Sequence, residues 1–233
     1  MKPKCRTLLI KIIVVAGTIF SSYYTLYAFS AQICYYIIKT GDTEYYSRER
    51  LEKSRQFIHT LEAAGKRDTT VIQPESDTMM WEMEAPGERT HIIAEKRGGT
   101  IDLRGEHRGV AVCKTIKIDD APWFQAISVS LGRIASSGLS KIYFWSIRSD
   151  NLKAYKMTAT QKDWQLVRLD GRQINARRFE IRPYGLLAPL WKCDCWFSED
   201  GIFLKYRGAG WPPGSPDTEI EYRATLPDVA KRD

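Results

Sequence analysis

Histidine is scarce in this sequence, and the patterns that carry most catalytic chemistry are missing. The three histidines, His59, His91 and His107, lie far apart, so they form neither a zinc-ligand spacing with cysteine nor an obvious triad. No serine sits in a nucleophile-elbow pattern. Residues 208–210 run into Trp-Pro-Pro, which cannot open the helix that a phosphate-binding loop requires. We therefore expect no catalytic residues, no metal site and no cofactor.

Acidic residues are absent from the first thirty positions, which instead carry four cations. An uncharged run, residues 12–38, follows these cations, and its first half is strongly apolar. Ala28 and Ser30 are small residues placed three and one before a possible cleavage ahead of Ala31. This pattern predicts a signal peptide over residues 1–30. The four cations are Lys2, Lys4, Arg6 and Lys11.

The same run permits a second interpretation, an uncleaved membrane anchor. Residues 12–38 are long enough to span a bilayer, although serine, threonine and tyrosine dilute their second half. In both cases the remainder of the chain is exported, because the cations lie on the N-terminal side. We expect a periplasmic domain, or one anchored to the inner membrane on its periplasmic side.

The excess of basic residues belongs mostly to this leader. The whole chain carries a net charge of +7, whereas residues 31–233 hold 31 basic and 28 acidic residues, a net charge of +3. A high isoelectric point that resides in a targeting segment gives little reason to expect nucleic-acid binding. We expect no nucleic-acid partner.

Cysteine is sparse, yet two of the five lie close together. Cys193 and Cys195 point to one face if the segment is a strand. An exported protein permits disulfides, so each is either bridged to a neighbouring strand or a small buried thiol.

Apolar residues beyond Cys34 recur mostly with period two, in short runs bounded by turn residues. This pattern predicts a single mainly β domain over residues 31–226, followed by a polar tail over 227–233. One segment differs, since residues 121–136 carry apolar residues at helical spacing after Asp119 and Asp120, which read as a helix cap. We expect a curved, half-barrel-like antiparallel sheet packed on one amphipathic helix near 121–136.

Residues 45–64 are ambiguous. Their charges and the spacing of Leu51, Ile58 and Leu61 favour a helix. The alternation of Tyr45, Ser47, Glu49 and Leu51 favours paired strands, which we prefer because a meander here lets the first strand find neighbours.

Aromatic residues are abundant. Six of them are candidates for lining an apolar cavity inside a curled sheet, or for filling the core between the sheet and the helix. These residues are Trp81, Trp123, Phe124, Trp145, Trp191 and Trp196.

Four stretches carry a resemblance to a known group of proteins: residues 118–125, 144–148, 196–201 and 214–218. They resemble an uncharacterised family of bacterial exported β-rich proteins, which is similar in architecture to the periplasmic lipoprotein carriers. The resemblance implies a sheet wrapped around a helix, with no enzyme activity and no site residues to transfer.

The sequence thus favours a non-catalytic binding module for an apolar or lipid-like ligand. The alternative is a structural or assembly protein of the envelope that binds a protein partner. Membrane contact through residues 12–38 is expected if the leader stays uncleaved. A hydrolase is the third hypothesis, and it requires a histidine and an acidic residue to converge in a cleft.

Overall fold

A computed structural model describes residues 31–53, 56–209 and 216–224. Most of this part of the chain is antiparallel strand, as the alternating pattern predicts. The expected signal peptide over 1–30 and the polar tail over 227–233 lie outside the described residues. In chain order the elements are β1 (Ala31–Thr40), β2 (Thr43–Lys53), β3 (Phe57–Ala63), β4 (Lys66–Ile72), β5 (Thr78–Ala85), β6 (Thr90–Arg97), β7 (Thr100–His107), β8 (Val110–Lys117), α1 (Ile127–Ala135), β9 (Lys141–Ile147), β10 (Ala154–Leu169), β11 (Arg172–Pro183), β12 (Cys193–Phe197), β13 (Phe203–Ala209) and β14 (Asp217–Arg223).

The fourteen strands form one curved sheet that does not close into a barrel. Its order is β8-β7-β6-β5-β4-β3-β2-β1-β14-β13-β12-β11-β10-β9, so two meanders meet where β1 pairs with β14. In that central pair Tyr36 lies opposite Tyr222 and Ile38 lies opposite Ile220. The strands at the two edges, β8 and β9, are consecutive in the chain, and α1 lies in the connection between them.

The expected single helix is present among the described residues, but it is shorter than predicted. It begins at Ile127, and Asp119 and Asp120 do not cap it. The segment before it is extended because it bonds to other elements: Trp145 N donates to Pro122 O at 2.7 Å and Phe124 N donates to Trp145 O at 2.8 Å. These tertiary bonds outweigh the helical spacing of the apolar side chains.

One face of α1 packs against the turn between β12 and β13. Leu131, Ile134 and Ala135 are buried on this face. Gly132 is required there, because a Cβ at this position would lie 2.1 Å from the carbonyl oxygen of Gly201. The helix therefore contacts the main chain of the turn between β12 and β13 directly, and this contact fixes the distance of the helix from the sheet.

The preference for strands over residues 45–64 is confirmed. β2 and β3 pair from Ser47–Ala63 to Lys53–Phe57. The pairing places Leu51 opposite His59, and it turns one face of this charge-rich segment toward the interior.

Apolar side chains form three buried clusters. The largest packs α1 against β1 and β9–β13 and contains Phe124 and Phe144, whose rings stack with centroids 5.0 Å apart. The second lies mainly under β5–β7 and contains Trp81 and Trp123, and the third lies around Val167 on β10. Burial of this kind supplies the main driving force for the fold.

Within the described residues, no helix has the length and apolar character needed to cross a membrane. Residues 31–38, the end of the uncharged run, belong to β1, where Tyr36, Ile37 and Ile38 are buried.

Candidate functional site

A cavity of about 600 Å³ lies on the concave side of the sheet. Each of the six adjacent strands from β9 to β14 contributes to its lining, together with Glu49 on β2 and the first turn of α1. The exposed residues Ser149 and Asp150, in the turn after β9, mark its opening. Its volume lies within the range of small-molecule sites, about 300–1,000 Å³.

Most of the lining is apolar, because alternate residues of each strand face the concave side. The apolar side chains come from β9, β10, β11, β13 and β14 and from the loop before β12. They are Ile147, Met157, Ile181, Phe203, Ile220 and Trp191.

A small polar group lies on one side of this cavity, at the N-terminal end of α1. Ser128 Oγ donates a hydrogen bond to Glu49 Oε1 at 3.2 Å. Gln125 also reaches the cavity, but its amide is held by the fold: Nε2 donates to Ile147 O at 2.9 Å, and Oε1 accepts from Trp123 Nε1 at 3.0 Å. Glu49 and Ser128 are therefore the polar side chains best placed to meet a ligand.

His59 lies next to Glu49, deep in the protein. Its Nε2 is 3.5 Å from Glu49 Oε2, and the residue is only 3% exposed. Neither ring nitrogen has a hydrogen-bond partner among the described residues. An imidazole buried in this way retains the capacity to donate one hydrogen bond and accept another.

Two smaller cavities adjoin the same polar group. One of about 360 Å³ and one of about 170 Å³ are both lined by Glu49, His59 and Ser128. Asp68 lines the smaller one, where burial raises the pKa of its carboxyl and Trp81 Nε1 donates to it at 2.9 Å. The polar group is thus the point at which the three cavities meet.

Cys193 and Cys195 both face the main cavity from β12, as a strand requires. Both are buried free thiols. Burial raises the pKa of the Cys193 thiol well above its ordinary value, and it also raises the pKa of Tyr206 on the neighbouring strand. The Cys193 and Tyr206 side chains therefore present neutral, weakly polar surfaces to the cavity.

The six aromatic candidates separate into different environments. Trp191 lines the main cavity and Trp81 lines the smallest one. The other four pack in or against the core: Trp123 and Phe124 are fully buried, Trp145 packs on the second cluster, and Trp196 packs on the third.

One group of side chains outside the cavity has a geometry that suits a metal ion. Glu82, Glu84 and His91 offer ligand atoms within 4.8 Å of one another. His91 is exposed and its Nε2 already lies 2.7 Å from Glu82 Oε1, while Arg67 is 3.8 Å from Glu84. Ion pairs account for this arrangement, so it carries no metal assignment.

Sequence reasoning did not single out Glu49, His59 or Ser128. The signal was present in the alternation that favoured strands, since Glu49 shares a face with Ser47 and Leu51. An acidic residue and a histidine on the inward face of two paired strands are unusual enough to mark a site.

No protein-family model and no curated protein matches this chain. Among solved structures, it is similar to a β-barrel-like protein of a domain of unknown function, DUF1849, from Brucella abortus, with a TM-score of 0.50 and 11% identity over 83% of this chain and 94% of that one. It also matches the hypothetical lipoprotein YmcC from Escherichia coli (TM-score 0.38, 8% identity, 97% of this chain and 100% of that one). A DUF1329 family protein from Desulfovibrio piger gives a TM-score of 0.28 and 9% identity over 88% of each chain. The expected resemblance to uncharacterised bacterial β-rich proteins is confirmed at the level of the fold.

Proposed function

We propose that this protein is an exported, non-catalytic binding module whose concave cavity holds one apolar or lipid-like chain. The observation that carries the proposal is the 600 Å³ cavity, walled by six strands and lined mainly by apolar side chains. Binding sites for small molecules combine such a lining with a few placed polar groups. Glu49 and Ser128 supply those groups here, and His59 lies behind Glu49, where it lines the two smaller cavities.

The arrangement of the lining suits an amphiphile. Its hydrocarbon chain lies against the apolar side chains, and its polar end lies at the Glu49–Ser128 pair. Because a carboxylate accepts hydrogen bonds and a serine hydroxyl both donates and accepts, a hydroxyl or amide head group satisfies both side chains.

A binding role without catalysis is supported by the geometry of the same residues. A histidine and an acidic residue do converge at a cavity, which the hydrolase hypothesis requires. However, Ser128 Oγ donates to Glu49 rather than to His59. A serine nucleophile needs a base that accepts its proton, and the acid must lie on the far side of that base. The order of groups here is serine, acid, histidine.

Export is supported by the pattern of residues 1–30, four cations before an apolar run that ends in small residues. We propose a periplasmic or envelope location, with cleavage before Ala31 or anchoring through the leader as the two forms.

Native mass spectrometry tests the proposed function. The protein is purified without detergent from its host, and its mass is compared with that of the extracted, delipidated chain. We expect one amphiphile per chain, which organic extraction releases and identifies. The proposal is refuted if the purified protein has only the mass of the chain without ligand and the delipidated protein binds no added amphiphile.

A matched pair of variants tests whether the polar end of the ligand binds at Glu49. Glu49→Gln is expected to weaken binding of a hydroxyl-headed amphiphile about tenfold, because a hydrogen bond to a charged group is lost. Glu52→Gln is the control, since Glu52 lies on the same strand and pairs with Arg50 outside the cavity.

A protein partner in the envelope is the second candidate function, and one feature favours it. β8 is an edge strand of eight residues, and its row of main-chain groups is open to pairing with another strand. Lys114 and Lys117 on this strand disfavour edge-to-edge association, so we place this role second.

A further inference from the structure

The loop between β11 and β12, residues 184–192, carries several exposed apolar side chains. From Tyr184 to Trp191 it contains no charged residue and three leucines. We refer to it as the 184–192 loop.

This loop presents its apolar side chains to solvent. Leu186 is 98% exposed, Tyr184 is 55% exposed and Leu190 is 54% exposed. Single exposed leucines are common on protein surfaces, but several on one short loop form a contiguous patch, and such patches mark interaction sites.

The loop has a defined conformation. Tyr184 N donates to Lys156 O at 2.8 Å, and Gly185–Leu187 form a single turn of 3-10 helix. At the far end, Trp191 Nε1 donates to Ala209 O at 2.7 Å. The fold therefore holds the leucines outward.

Aromatic rings and cations surround the base of the loop. Tyr143 packs edge-on against Tyr184, with ring centroids 5.4 Å apart. Lys141 Nζ lies 5.1 Å from the Tyr143 ring centre, and Lys156 Nζ lies 5.2 Å from that of Tyr184. Lys156 also contacts Asp119, so its charge is shared between the two.

Arg182 and Lys192 bracket the loop in sequence. Arg182 is paired with Glu180, while Lys192 is exposed at the end of the loop. The surface thus changes from leucine at the tip, through tyrosine, to lysine and arginine at the base.

We propose that the 184–192 loop docks on the surface of a lipid bilayer that contains anionic lipids. The order of side chains matches the layers of such a surface: leucine enters the acyl boundary, tyrosine lies at the head groups, and the cations meet the lipid phosphates.

A second copy of the chain fits this surface less well. Lysine is depleted in protein interfaces, whereas here Lys141, Lys156 and Lys192 lie at the base of the apolar loop. A stable dimer also buries about 800 Å² per partner, far more than one short loop offers.

The proposal goes beyond ligand binding and stands on the loop alone. It nevertheless connects the two features, since Pro183 and Trp191, at the two ends of the loop, both line the main cavity. Docking through this loop places the cavity beside the bilayer from which an amphiphile is collected.

A fluorophore on the loop tests docking in the full chain. In a Cys5→Ser, Cys113→Ser background, Leu190→Cys is labelled with an environment-sensitive nitrobenzoxadiazole group. The label is read while vesicles of phosphatidylethanolamine and phosphatidylglycerol are added, and vesicles of phosphatidylcholine alone serve as the comparison. The matched control is Val110→Cys, since Val110 is an exposed apolar residue at the start of β8, outside the loop. Because the label is attached to the loop, its emission reports the environment of the loop, independently of any membrane contact through residues 1–30.

We expect a blue shift at position 190, but not at 110, with the anionic vesicles, and a much smaller one with phosphatidylcholine or high salt. Leu186→Gln is expected to raise the lipid concentration at half-change about tenfold, with Val110→Gln neutral. Lys192→Gln should weaken docking on anionic vesicles only. No shift at 190, equal shifts in both lipids, or a shift that follows protein concentration without lipid each overturns the proposal. Ligand binding is measured separately, so its presence or absence does not decide this result.

Discussion

The length of the bound chain is the property that the cavity predicts most directly. The perturbation is a homologous series of saturated fatty alcohols, which keep one hydroxyl head group while the hydrocarbon grows. Each added methylene that leaves water for the apolar lining contributes about 0.8 kcal/mol, which corresponds to a roughly fourfold lower Kd.

The cavity volume sets where this trend ends. At about 30 Å³ for each methylene-sized group, the volume share of a water molecule in the liquid, 600 Å³ holds at most about 20 groups. We therefore expect a fourfold step per carbon for shorter chains and a plateau at or before about twenty carbons.

Displacement of a fluorescent fatty probe measures each Kd on the delipidated protein. Ile220→Trp adds bulk to the cavity wall and should move the plateau to shorter chains. Ile174→Trp is the matched control: Ile174 is also half-buried on a strand, but it packs on the third cluster away from this cavity. It should leave the plateau where it is.

A Kd that does not change along the fatty alcohol series would contradict this prediction, since the apolar wall would then contribute nothing to binding. The prediction is equally refuted by steps that continue unchanged well past about twenty carbons, because the chain then lies on an open surface rather than in a cavity of this size. Equal effects of the two tryptophan variants would place the ligand elsewhere.

Three further predictions concern the fold. Hydrogen bonds from Lys156 and, to a smaller extent, from Trp145 hold the pKa of Asp119 at about 2, below its ordinary 3.8. A carboxyl titration followed by NMR should give this pKa, and Lys156→Ala should raise the pKa of Asp119. Since this pKa is depressed in the folded state, its contribution to stability is present above about pH 4 and is lost as the pH falls toward 2. Phe144→Ala should lower the free energy of urea unfolding by about 3–5 kcal/mol, because the ring is fully buried, whereas Leu166→Ala on the exposed face should change it by less than about 0.5 kcal/mol. Cys113 is the exposed one of the four cysteines in the described chain, so peptide mapping after brief iodoacetamide treatment should find it modified well before the three buried thiols, and equal rates would contradict their burial.

Much of the sheet could be predicted because its strands alternate cleanly. β5 shows this best: Trp81 and Met83 share one buried face, as the sequence indicates. The charged segment 45–64 could also be assigned to strands from the alternation of its side chains. Its residues have a helical propensity as well, but the pairing of β2 with β3 overrides that propensity.

Other features depend on partners that a linear pattern does not show. The apolar alternation changes between Gln161 and Trp164, yet β10 is one strand, because an irregularity there shifts the register without ending the pairing with β11. The apolar run over residues 190–197 is a strand only from Cys193 onward, after the loop that exposes Leu190.

The candidate site could be predicted only as an apolar cavity lined by aromatic residues, of which Trp191 lines the main cavity and Trp81 the smallest one. Which face of β2 turns inward depends on its register with β3, and a shift of one residue would place Glu49 in solvent. The aromatic residues drew attention to packing instead, and most of the six serve that role.

The pairing of β1 with β14 has a consequence for when the molecule completes its fold. Each meander consists of neighbouring hairpins and forms from local contacts. The β1–β14 pair, in contrast, joins residues as far apart in sequence as Tyr35 and Arg223. A chain that crosses a membrane from its N-terminus delivers β1 first and β14 last. On the proposed export route, the β1–β14 pair in the centre of the sheet therefore forms only when translocation is nearly finished. Until then β1 presents an unpaired edge, which makes this the interval in which the chain most needs a chaperone.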